Sequence, residues 1–151
     1  MKYFIAPIFG MTLTFCACNQ DRIPAEDTVN THSALINEYF DNFNQHDWKS
    51  MAAMYSDTAA FKDPSLGQGL VYQTHEQIIH KYTALQQGIP DVNDTIINMY
   101  PSGDDYMIVE FISRGTLPDS TTFTLPICSI FKIENGKITN DFTYYNNSGE
   151  K

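Results

Sequence analysis

Apolar residues recur at helical spacing from the middle of the chain's first third: Leu35, Ile36, Tyr39, Phe40 and Phe43. Asn44-Gln45-His46 breaks the run, and Asp47 can cap a second helix that carries Trp48, Met51, Ala52 and Tyr55. Trp48 is expected to pack as a staple at its start, and Ser56-Asp57 to end it. Ala59 to Lys62 reads as a short strand. Thr74 stands three residues before Gln77, the reciprocal capping arrangement. It opens a third helix with Ile78, Ile79, Tyr82 and Leu85 on one side, closed by Gly88 and Pro90.

The period then changes from helical to alternating. Strands are predicted over Asp91 to Tyr100, Tyr106 to Gly115, Thr121 to Ile133 and Lys137 to Asn146. Met107, Val109 and Phe111 share one face of the second of these, and Glu110 and Arg114 the other. Glu110 and Arg114 are placed to form a modest pair on the surface. Pro101-Ser102-Gly103-Asp104 and Pro118-Asp119-Ser120 mark turns, and Asn135-Gly136 marks a two-residue hairpin. Helices first and strands afterwards predict an α+β domain, with three N-terminal helices laid across a curved antiparallel sheet. Such a layout encloses a cone, and its open end is a natural ligand pocket.

The 151 residues allow one domain, and the first of them do not read as part of it. Lys2, the apolar run Tyr3 to Phe15, the small-residue end Cys16-Ala17-Cys18 and the polar Asn19-Gln20 follow the order of a secretory signal. Its end resembles a bacterial lipobox with Cys18 as the lipidated residue, a plain secretory cut nearby being the alternative. The expected organisation is signal over 1–18, tether over 19–30 and domain over 31–147. The expected place is the bacterial cell envelope, with the membrane reached only through a lipid anchor. Cys128 is then left without a partner and reads as a small buried hydrophobe.

The net charge of −9, with no Lys/Arg cluster, argues against nucleic acid as a partner. No metal site is expected. His75 and His80 are five apart, unlike the pair of a zinc-binding helix, and His80 reads as a solvated side chain.

The series INEYFDNFNQHDWKSMAAMYSDTAAFKDPSLGQG, the third helix, and ICSIFKIENGKITNDFTYYNN together resemble the SnoaL-like branch of the NTF2-like superfamily, which includes the ketosteroid isomerases. The resemblance runs from about Asn30 to Asn147 and implies a cone-shaped α+β roll. It further implies a site. Tyr39 precedes the cap Asp47 by eight residues, and Asp63-Pro64 follows that cap by sixteen, as the donor Tyr and the general-base Asp do in those isomerases. Tyr55 falls where some members hold a supporting Tyr. Ser129 falls where they hold a protonated Asp, a departure that weighs against strict steroid isomerase activity.

Moving a proton beside a carbonyl needs a base near the carbon and a donor at the oxygen. Asp63 as base, with a pKa raised by desolvation, and Tyr39 as donor fill these roles. Tyr55, Phe61 and Tyr82 are expected to supply apolar walls, and Ser129 a weak second donor. Each has a structural alternative: Asp63 opening a turn before Pro64, and the tyrosines as core. The expected partners are a small apolar or polyketide-like molecule and a second copy bound through the outer sheet face. The expected chemistry is a cofactor-free isomerase, cyclase or lyase reaction. A binding or interaction module of the envelope is the alternative.

Overall fold

The computed structural model describes residues 26–146. The signal, Cys18 and the first part of the tether lie outside the described residues, as does Asn147. Helix α1 spans Glu26–Asn44, so Glu26 to Asn30, expected as tether, form its first turns instead. Two acidic residues there, Glu26 and Asp27, complement the positive end of the helix dipole. Its inward stripe is Ile36, Tyr39, Phe40 and Phe43, each 4% exposed or less.

Helix α2, Trp48–Ala53, is capped by Asp47, whose side chain accepts from the Ser50 N–H. It ends before Tyr55, which opens strand β1, Tyr55–Lys62. Tyr55 thus belongs to the sheet, and the strand is longer than the apolar run alone predicts. Its outward residues Ser56, Asp57 and Thr58 carry no apolar signal. A single 3₁₀ turn, Pro64–Leu66, leads to strand β2, Val71–Thr74, which sequence reasoning passes over. Helix α3, His75–Gly88, starts on Thr74 with both bonds of the reciprocal cap present.

Four long strands follow: β3 (Asn93–Ser102), β4 (Tyr106–Thr116), β5 (Thr122–Glu134) and β6 (Lys137–Tyr144). Asn135 and Gly136 both take positive φ, 52° and 72°, as the two-residue hairpin between β5 and β6 requires. The six strands form one sheet in the order β2-β1-β6-β5-β4-β3. All neighbours run antiparallel except β1 and β6, which pair in parallel. That exception arises because the β1–β2 hairpin docks as a unit on the edge of the meander. Irregular registers between Tyr55 and Ala60, Ile96 and Asn98, and Lys132 and Ile133 bend the strands.

The sheet curls around the helices, and the core lies between them. Met107, Val109, Phe131, Ile133 and Ile138 meet Ile36, Tyr39 and Phe40 there. The aromatic rings pack edge to face, as their quadrupoles favour: Phe40 against Phe111 at 4.9 Å and Phe43 against Trp48 at 5.3 Å. Trp48 stacks on Tyr82 at 5.6 Å and donates from Nε1 to Gln86 at 2.8 Å. On the outer face Glu110 accepts from Asn98 and Tyr100, while Arg114 donates to Thr95, in place of the expected Glu110–Arg114 pair.

Candidate functional site

The core does not fill the cone. Between α3 and the inner face of the sheet lies a cavity of about 900 Å³. Apolar side chains make most of its wall, including Phe43, Leu85, Ile89, Phe111, Ile127 and Phe131. Polar groups enter from several elements.

Asp63 is the first. It follows β1 with extended backbone, and its Oδ1 caps the Ser65 N–H at 2.8 Å, so it does open the turn. The same carboxylate lines the cavity. Lys81, nearly two turns into α3, donates to Oδ2, and Tyr145 donates to Oδ1 at 3.1 Å. Burial alone would raise the Asp63 carboxyl. The Lys81 ammonium, its hydrogen bond and the Ser65 N–H outweigh burial and hold it below the usual carboxylate value. The raised pKa expected for this base is therefore replaced by a lowered one. Lys81 is shifted the other way: burial opposes its charge, but Tyr82 and Asp63 hold the proton on.

Tyr39 and Tyr82 are the second group. Both line the cavity, and their hydroxyls meet at 3.4 Å. Burial pushes both phenols above their ordinary value, so both stay protonated at neutral pH. Two hydroxyls sharing one hydrogen bond leave one proton to offer.

The third group centres on Asp141, which sequence reasoning missed. Tyr55 donates to its Oδ2 at 2.7 Å, and Thr143 to its Oδ1 at 2.9 Å. Ser129 lies 2.6 Å from Thr143 Oγ1. Since the Thr143 proton goes to Asp141, Ser129 is the donor in that contact. Ser129 lines the cavity, but its proton is spent within the protein, and only its lone pairs face a ligand. Asp141 is 3% exposed, and burial raises its pKa.

Tyr55 and Phe61 stand elsewhere than expected. Each is 1% exposed, and neither is among the lining residues. Their rings pack together at 5.3 Å behind the wall, where Tyr55 holds Asp141. His80 is exposed, as expected of a solvated side chain, and is also among the residues that line the cavity.

Asp94 and Gln73 complete the polar set. Asp94, on β3 opposite Ser113 of β4, is 7% exposed, and burial pushes its carboxyl up to about 7. Gln73, on β2, is equally buried. Both line the cavity. Among the described residues, Asp94 Oδ1 and Gln73 Oε1 are the buried side-chain oxygens without a hydrogen-bond partner.

Solved structures share this architecture. A protein with a ketosteroid isomerase-like fold from Catenulispora acidiphila, in complex with trimethylamine, superposes with a TM-score of 0.67 at 21% identity, covering 76% of this chain and 86% of its own. The epoxide hydrolase/cyclase-like enzyme SalBIII of pyran ring formation in salinomycin gives 0.70 at 16% identity, covering 80% and 94%. An NTF2-like protein from Anabaena variabilis gives 0.68 at 14% identity, covering 93% and 98%. At these identities the likeness establishes the fold. None of the curated proteins matches the chain. Residues 36–140 match the family described as SnoaL-like domain, and the chain belongs to that family.

Proposed function

We propose that this SnoaL-like domain takes a small, largely apolar carbonyl compound into its cone and moves a proton beside the carbonyl without a cofactor, as an isomerase or cyclase. The observation that carries this reading is the opening of the Asp63 carboxylate and the Tyr39/Tyr82 hydroxyl pair onto one cavity of about 900 Å³. Asp63 accepts the proton from the carbon. The free proton of the tyrosine pair meets the oxygen as negative charge develops there. Lys81 and Tyr145 orient the carboxylate and keep it ionised, at the cost of a weaker base.

Deuterium exchange at the α-carbon of 2-tetralone, followed by NMR in D2O, tests this without knowledge of the natural substrate. Wild-type protein is expected to accelerate the exchange above the buffer rate. Asp63→Asn is expected to lower the acceleration about 100-fold, and Tyr39→Phe about tenfold. A wild-type protein that binds 2-tetralone but leaves its exchange at the buffer rate contradicts proton transfer. The Asp63–Lys81 ion pair favours a second reading in that event, a non-catalytic module that grips its ligand through the same groups.

Two further expectations belong to this proposal. Lipidation at Cys18 places the domain at the cell envelope, and an alkyne-palmitate label lost in Cys18→Ala checks it. Pairing of two copies through the outer sheet face, where Tyr100 and Tyr144 are exposed, is checked by the molar mass from light scattering.

A further inference from the structure

Gln73 and Asp94 stand on β2 and β3, the two outermost strands of the sheet. The sheet curls so far that both edges border one cavity. At each edge a buried oxygen is left without a donor: Gln73 Oε1 on one side and Asp94 Oδ1 on the other. Buried polar atoms without partners are uncommon, because each forfeits its bonds to water and gains nothing in return. Two of the same kind in the lining of one cavity describe what is missing. Gln73 Oε1 is an acceptor, and Asp94 Oδ1 is one once its carboxyl is ionised, so above a pH of about 7 the missing groups are donors.

We infer that the cavity is shaped for a ligand with an apolar body and two hydrogen-bond-donating groups, hydroxyl or amine, one received by Asp94 Oδ1 and the other by Gln73 Oε1. This rests on the reading of the cone as a ligand site and specifies the ligand beyond its carbonyl. The ion pairs among the described residues leave Asp94 aside, since Lys81 is taken by Asp63 and Lys132 by Glu134. Ser113 faces Asp94 across the strand pair. Asn44 fixes the strand itself, donating to the Asp94 carbonyl and accepting from its N–H, both at 2.8 Å. The orphan oxygen is thus carried on a rigid segment.

Binding of naphthalene, 2-naphthol and 2-(aminomethyl)naphthalene, measured by NMR titration, tests the inference. Wild-type protein is expected to bind the two donor-bearing compounds about tenfold more tightly than naphthalene. For each one-donor compound, the variant that removes its acceptor, Asp94→Ala or Gln73→Leu, is expected to erase much of that preference, read as the ratio of its affinity to that of naphthalene in the same variant. Asp94→Asn, which keeps an acceptor oxygen and the side-chain volume, is expected to retain it should the alanine variant fold poorly. A preference for the amine identifies a cationic donor, and one for the naphthol a neutral donor; both support the inference. Equal binding of all three compounds to the wild type, as when ordered water satisfies both oxygens, overturns it. So does a preference that none of the variants alters. Absence of binding by every compound contradicts the ligand-site reading itself, a separate failure.

Discussion

Asp94 and Asp63 share a cavity and are driven apart by their neighbours. Asp94 faces apolar wall and Ser113 and is raised to about 7; Asp63 faces an ammonium and is lowered. An unfolded Asp titrates near ~3.9. Between that value and about 7, folded Asp94 keeps a proton that the unfolded chain has released, so its contribution to stability falls as pH rises through this window. Asp63 acts in the opposite sense: its contribution is present above ~3.9 and is lost as pH falls through its lower folded value. Asp94→Asn is therefore expected to flatten the decline in stability from about pH 4 to 7, by up to ~4 kcal/mol. Urea midpoints across that range check it, and an unchanged slope contradicts it. Asp141, also raised, sustains part of the decline in the variant. The same contrast bears on catalysis. With Asp63 as base, the accelerated exchange of 2-tetralone stays level across neutral pH, whereas a profile rising through about 7 assigns the base to Asp94.

Legibility in the sequence also differs residue by residue. Tyr39 and Asp63 stand out by their spacing from Asp47. Lys81 was legible in principle, since it lies three residues after Ile78 and four before Leu85 on the inward side of its helix. So was Asp94, which shares the two-residue period of Val92 and Ile96. Asp141 was not. Strict alternation from the buried Ile138 turns Asn140 and Phe142 inward, and only the register shift opposite Lys132 and Ile133 brings Asp141 to the inner face. Tyr55 reads as helical because the spacing from Trp48 continues one step past the end of α2, whereas the residue opens β1.

Among the elements, α3 does most to set the site, because it carries Lys81, Tyr82 and His80 against the cavity. Its first turn depends on the Thr74 cap. Thr74→Ala is expected to cost about 1 kcal/mol and to lower Tm by roughly 4 °C. Thr74→Ser is expected to keep most of both, and circular dichroism melts distinguish the two. The β5–β6 hairpin was legible from Asn135-Gly136, because Asn tolerates positive φ and Gly, lacking a Cβ, adopts it freely. β2 was not, because Val71 to Thr74 is short, lies at the edge and shows only one buried residue, Gln73.

For the molecule as a whole, the consequence of the fold is a cone left open on one side of a well-packed core. Helices before strands made the roll legible, but periodicity cannot say how far a sheet curls, and curl decides whether the cone is filled. Filling it is a direct perturbation. Leu125→Trp adds volume at the wall without displacing a core residue and is expected to weaken naphthalene binding at least about tenfold, with stability kept within about 1.5 kcal/mol. Stability retained with binding intact contradicts the placement of the ligand. A crystal structure of the domain soaked with 2-tetralone is expected to show the ketone inside the cone, its oxygen within hydrogen-bond reach of the Tyr39/Tyr82 pair and its α-carbon facing Asp63. A ketone bound only on the outer sheet face, or a cone closed by its own side chains, contradicts that placement.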